Sequence, residues 1–174
     1  MKKLAILILV GVGLAVLGCG HSNIAPVTQT STGGNWEAQL IGGRGDASLL
    51  NFVTVFTVTN TNGGSPEPLS ITAFGFINLG ACFVTQTPSG SADLITSTTN
   101  QVTGTLTYTI QSITPPGNTL TLNGTSITGT ANNGALTGGV VTGSWTLTNT
   151  NNNNDCAGAG NFTLCQNAAT CATT

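Results

Sequence analysis

Between Gln101 and Ser112 the chain changes character at every residue. Val102, Gly104, Leu106, Tyr108 and Ile110 alternate with Thr103, Thr105, Thr107, Thr109 and Gln111. A period of two puts each set on its own face of an extended chain, which predicts a strand with one dry and one wet side. "GVVTGSWTLTN" repeats the scheme, with Val141, Gly143, Trp145 and Leu147 opposed to Thr142, Ser144, Thr146 and Thr148. "SLLNFVTVFTVTN" sets Leu50, Phe52, Thr54, Phe56 and Val58 on one face. "LSITAFGFINL", "ACFVTQ", "NTLTLNGTSITG" and "NFTLCQ" read as further strands. No segment carries apolar residues at helical spacing, and β-branched residues dominate throughout. The phase predicts that Trp36, Phe52, Phe56, Leu106, Tyr108, Trp145 and Leu147 point inward.

The segments between the apolar runs are rich in turn formers. "TNTNGGSPEP", "TPSGSAD", "TPPGNT", "TANNGA" and "TNTNNNNDCAG" hold Asn-Gly, Gly-Gly, Pro-Gly or Asn clusters, residues suited to tight reversals. Joints of this kind predict sequential hairpins. The expected fold is all-β: an antiparallel meander forming a small up-and-down β-barrel, with a β-sandwich as the alternative. Closure into a barrel removes exposed sheet edges. Gly75, Gly104, Gly124 and Gly143 would serve as bend points in its strands.

The amino-terminal pattern differs. Lys2 and Lys3 precede the apolar run Leu4 to Leu17, which is shorter than the ~20 residues a membrane-spanning helix needs. This is the form of an export signal. The stretch "VLGC", Val16 to Cys19, resembles the lipobox of bacterial lipoproteins. That resemblance implies acylation of Cys19 and cleavage before it. Stable attachment takes two or three chains, because one binds only reversibly. The membrane is then a partner of the acylated amino terminus. Gly20, not Asp, follows the cysteine, which in a Gram-negative cell implies the outer membrane. The expected organisation is a lipoprotein signal at 1–18, the lipidated cysteine and a polar tether at 19–33, a β-barrel domain at 34–166 and a tail at 167–174.

Charge narrows the functional classes. The chain of 174 residues has 3 Lys and Arg against 5 Asp and Glu. Beyond Lys2 and Lys3 the cations reduce to Arg44, which excludes nucleic acid as a partner because phosphate binding needs many cationic contacts. The single histidine, His21, lies in the tether, so no Ser-His-Asp set can form in the domain. Glu37 and Asp93 could form a glycosidase-like pair, but both read as solvated, Asp93 following an "SGSA" turn. "RGD" at Arg44 to Asp46 reads as a polar turn, and the sequons at Asn123 and Asn161 fall in strands. The threonine ranks, a pattern also met in ice-binding and adhesive β proteins, read as the wet side of strands in a charge-poor chain. No metal site, cofactor or catalytic residue is expected.

Export exposes thiols to oxidation. With Cys19 consumed by the anchor, Cys82, Cys156, Cys165 and Cys171 admit three pairings. Cys165 and Cys171 are close along the chain, so the expected bonds are Cys165–Cys171 and Cys82–Cys156.

"GNWEAQL", "GSWTL" and "GNFTL" look like the Gly-x-Trp opening and Gly-rich strands of lipocalin-like and avidin-like barrels. The whole plan of lipobox, tether, mid-chain cysteine and late "CAGAGNFTL" resembles uncharacterised acidobacterial-type lipoproteins. These likenesses imply a calycin-like barrel and carry no ligand residues. The functional expectation is a membrane-anchored, non-catalytic envelope lipoprotein, a structural or interaction module whose partner, a small apolar ligand or an envelope protein, the chain does not identify. The alternative is a lipocalin-like carrier of a small apolar ligand, held in a cup of Trp36, Phe52, Phe56, Tyr108 and Trp145. An envelope hydrolase ranks below both.

Overall fold

The structure is a computed structural model that describes residues 30–42, 50–60, 66–78, 80–151 and 154–167. Among these residues ten strands form one sheet: β1 Thr30–Thr32, β2 Asn35–Ile41, β3 Phe52–Asn60, β4 Glu67–Pro68, β5 Ser70–Phe76, β6 Thr85–Thr96, β7 Gln101–Thr114, β8 Asn118–Asn132, β9 Ala135–Asn149 and β10 Gly158–Gln166. Nine follow one another edge to edge in the order β1-β3-β2-β10-β9-β8-β7-β6-β4, while β5 pairs with β3. From β6 to β10 each strand pairs antiparallel with its successor, and β10 meets β2, joining the two ends of the chain. The result is the expected all-β meander, rolled into a nearly closed barrel.

The barrel comes nearest to closing along residues 67–76, which change partner midway. Glu67 and Pro68 pair with Ala92 and Ser91 on β6, and the Leu69 amide donates to the Gly90 carbonyl at 2.9 Å. From Ser70 onward the same stretch pairs with β3 instead. Between β5 and the start of β6 no backbone hydrogen bond is made among the described residues, which leaves a seam in the wall.

The period of two sets the core. Trp36, Phe52, Phe56, Leu106, Tyr108, Trp145 and Leu147 are all buried, with exposures of 3 % or less. Thr54, on the same face, is buried with them. Gly104 and Gly124 sit at register shifts between β7, β8 and β9, where an extra residue bends the wall. Gly75 marks no such shift and has open space beside it.

Three sequence expectations are corrected. "TPSGSAD" is not a turn but the middle of β6, paired with β7 from Thr87 to Asp93. Gly90 turns its carbonyl toward Leu69, so the groups of Pro88, two residues away, face the seam as well. The N–H that proline lacks is therefore one that β7 never needed, and such a position tolerates proline. Gly90 answers a close approach: a Cβ there would lie 2.3 Å from the Thr107 carbonyl oxygen and 2.8 Å from a Leu69 methyl. The reversal from β6 to β7 lies at Ser97 to Asn100, where Asn100 takes φ 61°.

Second, "ACFVTQ" supplies only Thr85 and Gln86 to a strand. Cys82 and Phe83 are apolar and buried because they plug one end of the barrel, Phe83 packing on Phe76 at 5.1 Å between ring centres. Third, the sheet begins inside the expected tether. The Thr-Ser-Thr segment Thr30–Thr32 pairs with the end of β3 before Gly34, at φ 103°, turns the chain into β2.

Buried amides close both ends. At one end the Asn118 side chain donates to the Cys82 carbonyl at 2.6 Å and accepts from Asn149, while its amide donates to Ser112 Oγ at 2.9 Å. At the other, Gln166 Oε1 accepts from the Gly139 amide at 3.0 Å, and its Nε2 donates to the carbonyls of Leu136 and Gly33. Gln166 thus satisfies three backbone groups, and the Asn118 side chain satisfies the Cys82 carbonyl, groups that would otherwise be buried unpaired.

Candidate functional site

The five residues expected to line a ligand cup do lie together, each buried inside the barrel. Four of them meet ring to ring. Trp36 stacks on Phe56 with centres 5.2 Å apart, Phe52 stacks on Tyr108 at 5.5 Å, and Phe56 meets Tyr108 at 6.1 Å. Phe74 and Phe76 extend the cluster from β5, reaching Phe52 at 5.1 and 6.1 Å. Trp145 is held by its indole N–H, which donates to the Ile41 carbonyl at 3.1 Å.

The polar atoms of this interior follow from the pairing of β2 with β3. Trp36 and Thr54 are cross-strand partners, and Thr54 is the one hydroxyl on the inward face of β3. Its Oγ1 donates to the Ala73 carbonyl at 3.1 Å and lies 2.7 Å from the Tyr108 hydroxyl. A threonine hydroxyl has one proton, so the Tyr108 O–H is the donor to Thr54. Burial pushes the Tyr108 pKa well above the ordinary phenol value, and the bond to Thr54 offsets this only in part. The phenol is therefore a fixed donor at any physiological pH, not a proton shuttle. The Trp36 indole N–H is buried and has no hydrogen-bond partner among the described residues.

Glu37 and Asp93 are not brought together. Glu37 lies between inward-facing Trp36 and Ala38 on β2, Asp93 between Ala92 and Leu94 on β6, so alternation turns both away from the core, with Asp93 Oδ1 nonetheless buried and without a hydrogen-bond partner among the described residues. β2 and β6 are not neighbours in the sheet. Asn123 and Asn161 are exposed on the outer face, in one cross-strand row with Thr107 and Ser144. Two concavities also lie on the outside. One of about 410 Å³ is lined by Asn35, Val53, Val55, Ala73 and Gly75; another of about 470 Å³ is lined by Thr125, Thr142, Ser144, Asn161 and Thr163.

Cys82 and Cys156 form a disulfide across 74 residues, linking the β5–β6 connection to the 3-10 turn Asn154–Cys156. Cys165 is disulfide-bonded as well, and Cys171 lies outside the described residues. So do Cys19, His21 and the Arg44 to Asp46 triplet. Among the described residues no group of three His, Cys, Asp or Glu could hold a metal ion.

Fold and interior together define a small, nearly closed β-barrel around an aromatic core. Comparison with protein-family models, curated proteins and solved structures finds no match to this chain.

Proposed function

We propose that the protein is a lipid-anchored bacterial envelope lipoprotein whose barrel is a non-catalytic structural or interaction module. The observation that carries this reading is the interior: four of the five cup residues pack ring against ring, and a buried amide side chain ties backbone groups near each end. A lipocalin-like carrier needs an apolar cavity with an open mouth, so the packed cluster weighs against that alternative. The outward placement of Glu37 and Asp93 weighs against a hydrolase built on that pair. Anchoring rests on the signal and on "VLGC". The chain enters the barrel through Thr30 and leaves it through Gln166 at the same end, opposite the disulfide. An anchor at Cys19 would attach that end and leave the disulfide end free. The likeness to acidobacterial-type lipoproteins and to calycin barrels belongs to this proposal.

Metabolic labelling with a fatty-acid analogue tests the anchor. Label should enter the chain and disappear with Cys19→Ser; label that survives the substitution defeats the assignment. Native mass spectrometry of protein from its own host tests the module. A stoichiometric small ligand would favour the carrier instead.

A further inference from the structure

We infer that the seam between β5 and β6 is an acceptor site for one extended strand of a partner polypeptide, added to the free edge of β5. The Ile77 amide donates to Asn51 beside β3 at 2.8 Å, so Gly75, two residues earlier, also turns its backbone groups toward β3. The intervening residues, Phe74 and Phe76, direct their N–H and C=O groups into the seam. On the opposite wall Gly90 faces Leu69. By the same alternation the N–H and C=O of Gln86 and the C=O of Pro88 face the seam too. Donors and acceptors thus line both walls at the two-residue spacing of a strand.

The side chains agree with that occupant. Ile71, Phe74 and Phe76 belong to the core cluster but are only partly buried, so the seam lets solvent reach the edge of the core. Ile77 and Val84, at the ends of the connection between the two strands, are 50 and 61 % exposed. The carbonyl oxygen of the Gln86 side chain is buried without a partner among the described residues. Neither Ser70–Phe76 nor 85–89 contains a charged residue. An acyl chain would find the apolar edge but satisfy none of the backbone groups. An uncharged polypeptide with alternating apolar residues answers both, which is recognition by strand addition. The seam is pinned at one end by Leu69 on Gly90 and at the other by the Cys82–Cys156 bond and Asn118.

This inference rests on the interaction-module reading and names its surface; fatty-acid labelling at Cys19 tests the anchor independently. The probe is an acetylated heptapeptide of alternating threonine and valine, added to the full chain in detergent and followed by amide hydrogen exchange. In the free chain the Phe74, Phe76 and Gln86 amides should exchange at least tenfold faster than those of Gly75 and Ile77, as unpaired edge amides do. The peptide should slow them about tenfold or more, and the same peptide N-methylated at alternate nitrogens should not. Three results overturn the inference: amides at Phe74 and Phe76 as protected in the free chain as those of Gly75 and Ile77, no protection by either peptide, or equal protection by both.

Discussion

Replacing Cys82 and Cys156 together by alanine should cost the barrel about 5–6 kcal/mol. Two terms make up that figure. The bond closes a loop of 74 residues, and the chain-entropy relation for a loop of that length gives about 4.4 kcal/mol at 25 °C. Both cysteines are buried, at 0 and 1 % exposure, and trimming two sulfurs from packed surroundings adds about 1 kcal/mol. Alanine is the right replacement, since serine would bury two hydroxyls and blur the result. In a domain of this size each kcal/mol moves Tm by roughly 2–5 °C, so the midpoint should fall by more than about 10 °C. Thermal and urea unfolding of both proteins, followed by tryptophan fluorescence, measure it. The urea slope of the variant should rise, because its uncrosslinked unfolded chain is more expanded and exposes more surface. A loss below about 1 kcal/mol would refute the reasoning, because the bond would then constrain nothing that the folded chain does not already hold. Peptide mapping without reductant checks the bond itself, and the expected Cys165–Cys171 bond with it.

Three further outcomes are expected. Trp145→Ala should destabilise by about 3–5 kcal/mol, since it empties a buried site and leaves the Ile41 carbonyl without its donor; urea titration giving under 1 kcal/mol would mean the ring does not pack as described. Gly90→Ala should cost more than about 2 kcal/mol because its Cβ would meet the Thr107 carbonyl, whereas an unchanged midpoint would return that stretch to a turn. Tyr108 is the single tyrosine of the chain, and its folded pKa lies above the unfolded value near 10. Its contribution is therefore complete below pH 10 and declines as pH rises from there toward the folded pKa. Tyrosinate absorbance should stay absent past pH 10 and appear only with unfolding, and a titration centred near 10 with the fold intact would contradict its burial.

What could be read from the chain was direction. Alternation between Val102 and Ile110 or between Val141 and Leu147 states which side of a strand is dry, and it placed even Thr54 inward against its polarity. Partnership could not be read in the same way. Pro88-Ser89-Gly90 has the composition of a turn, yet its proline sits where the missing N–H faces a seam and its glycine where another strand crosses closely. Neither fact exists until β4 and β7 are beside β6. The cup shows the same limit. Its five residues point inward as their phase requires, but the width of the barrel that they fill depends on strand number and shear, which no local pattern carries. The Cys82–Cys156 bond was legible because the short spacing of Cys165 and Cys171 narrowed the pairings.

The wall's weakest line and its strongest crosslink are neighbours, and each accounts for the other. Around most of the barrel consecutive strands are held by continuous ladders, from β6 through β10 to β2 and β3. Between β5 and β6 there is none among the described residues, and the connection between them carries Cys82. A hairpin of that length would ordinarily be fixed by its own cross-strand bonds. Here it is fixed from outside the pair, by Cys156 and by the Asn118 side chain on the Cys82 carbonyl. An oxidised thiol pair therefore does for this connection what paired backbone does elsewhere. It also leaves the seam-facing groups of Phe74, Phe76, Gln86 and Pro88 uncommitted among the described residues. A ladder in that place would have stabilised the barrel equally well and closed it to any partner.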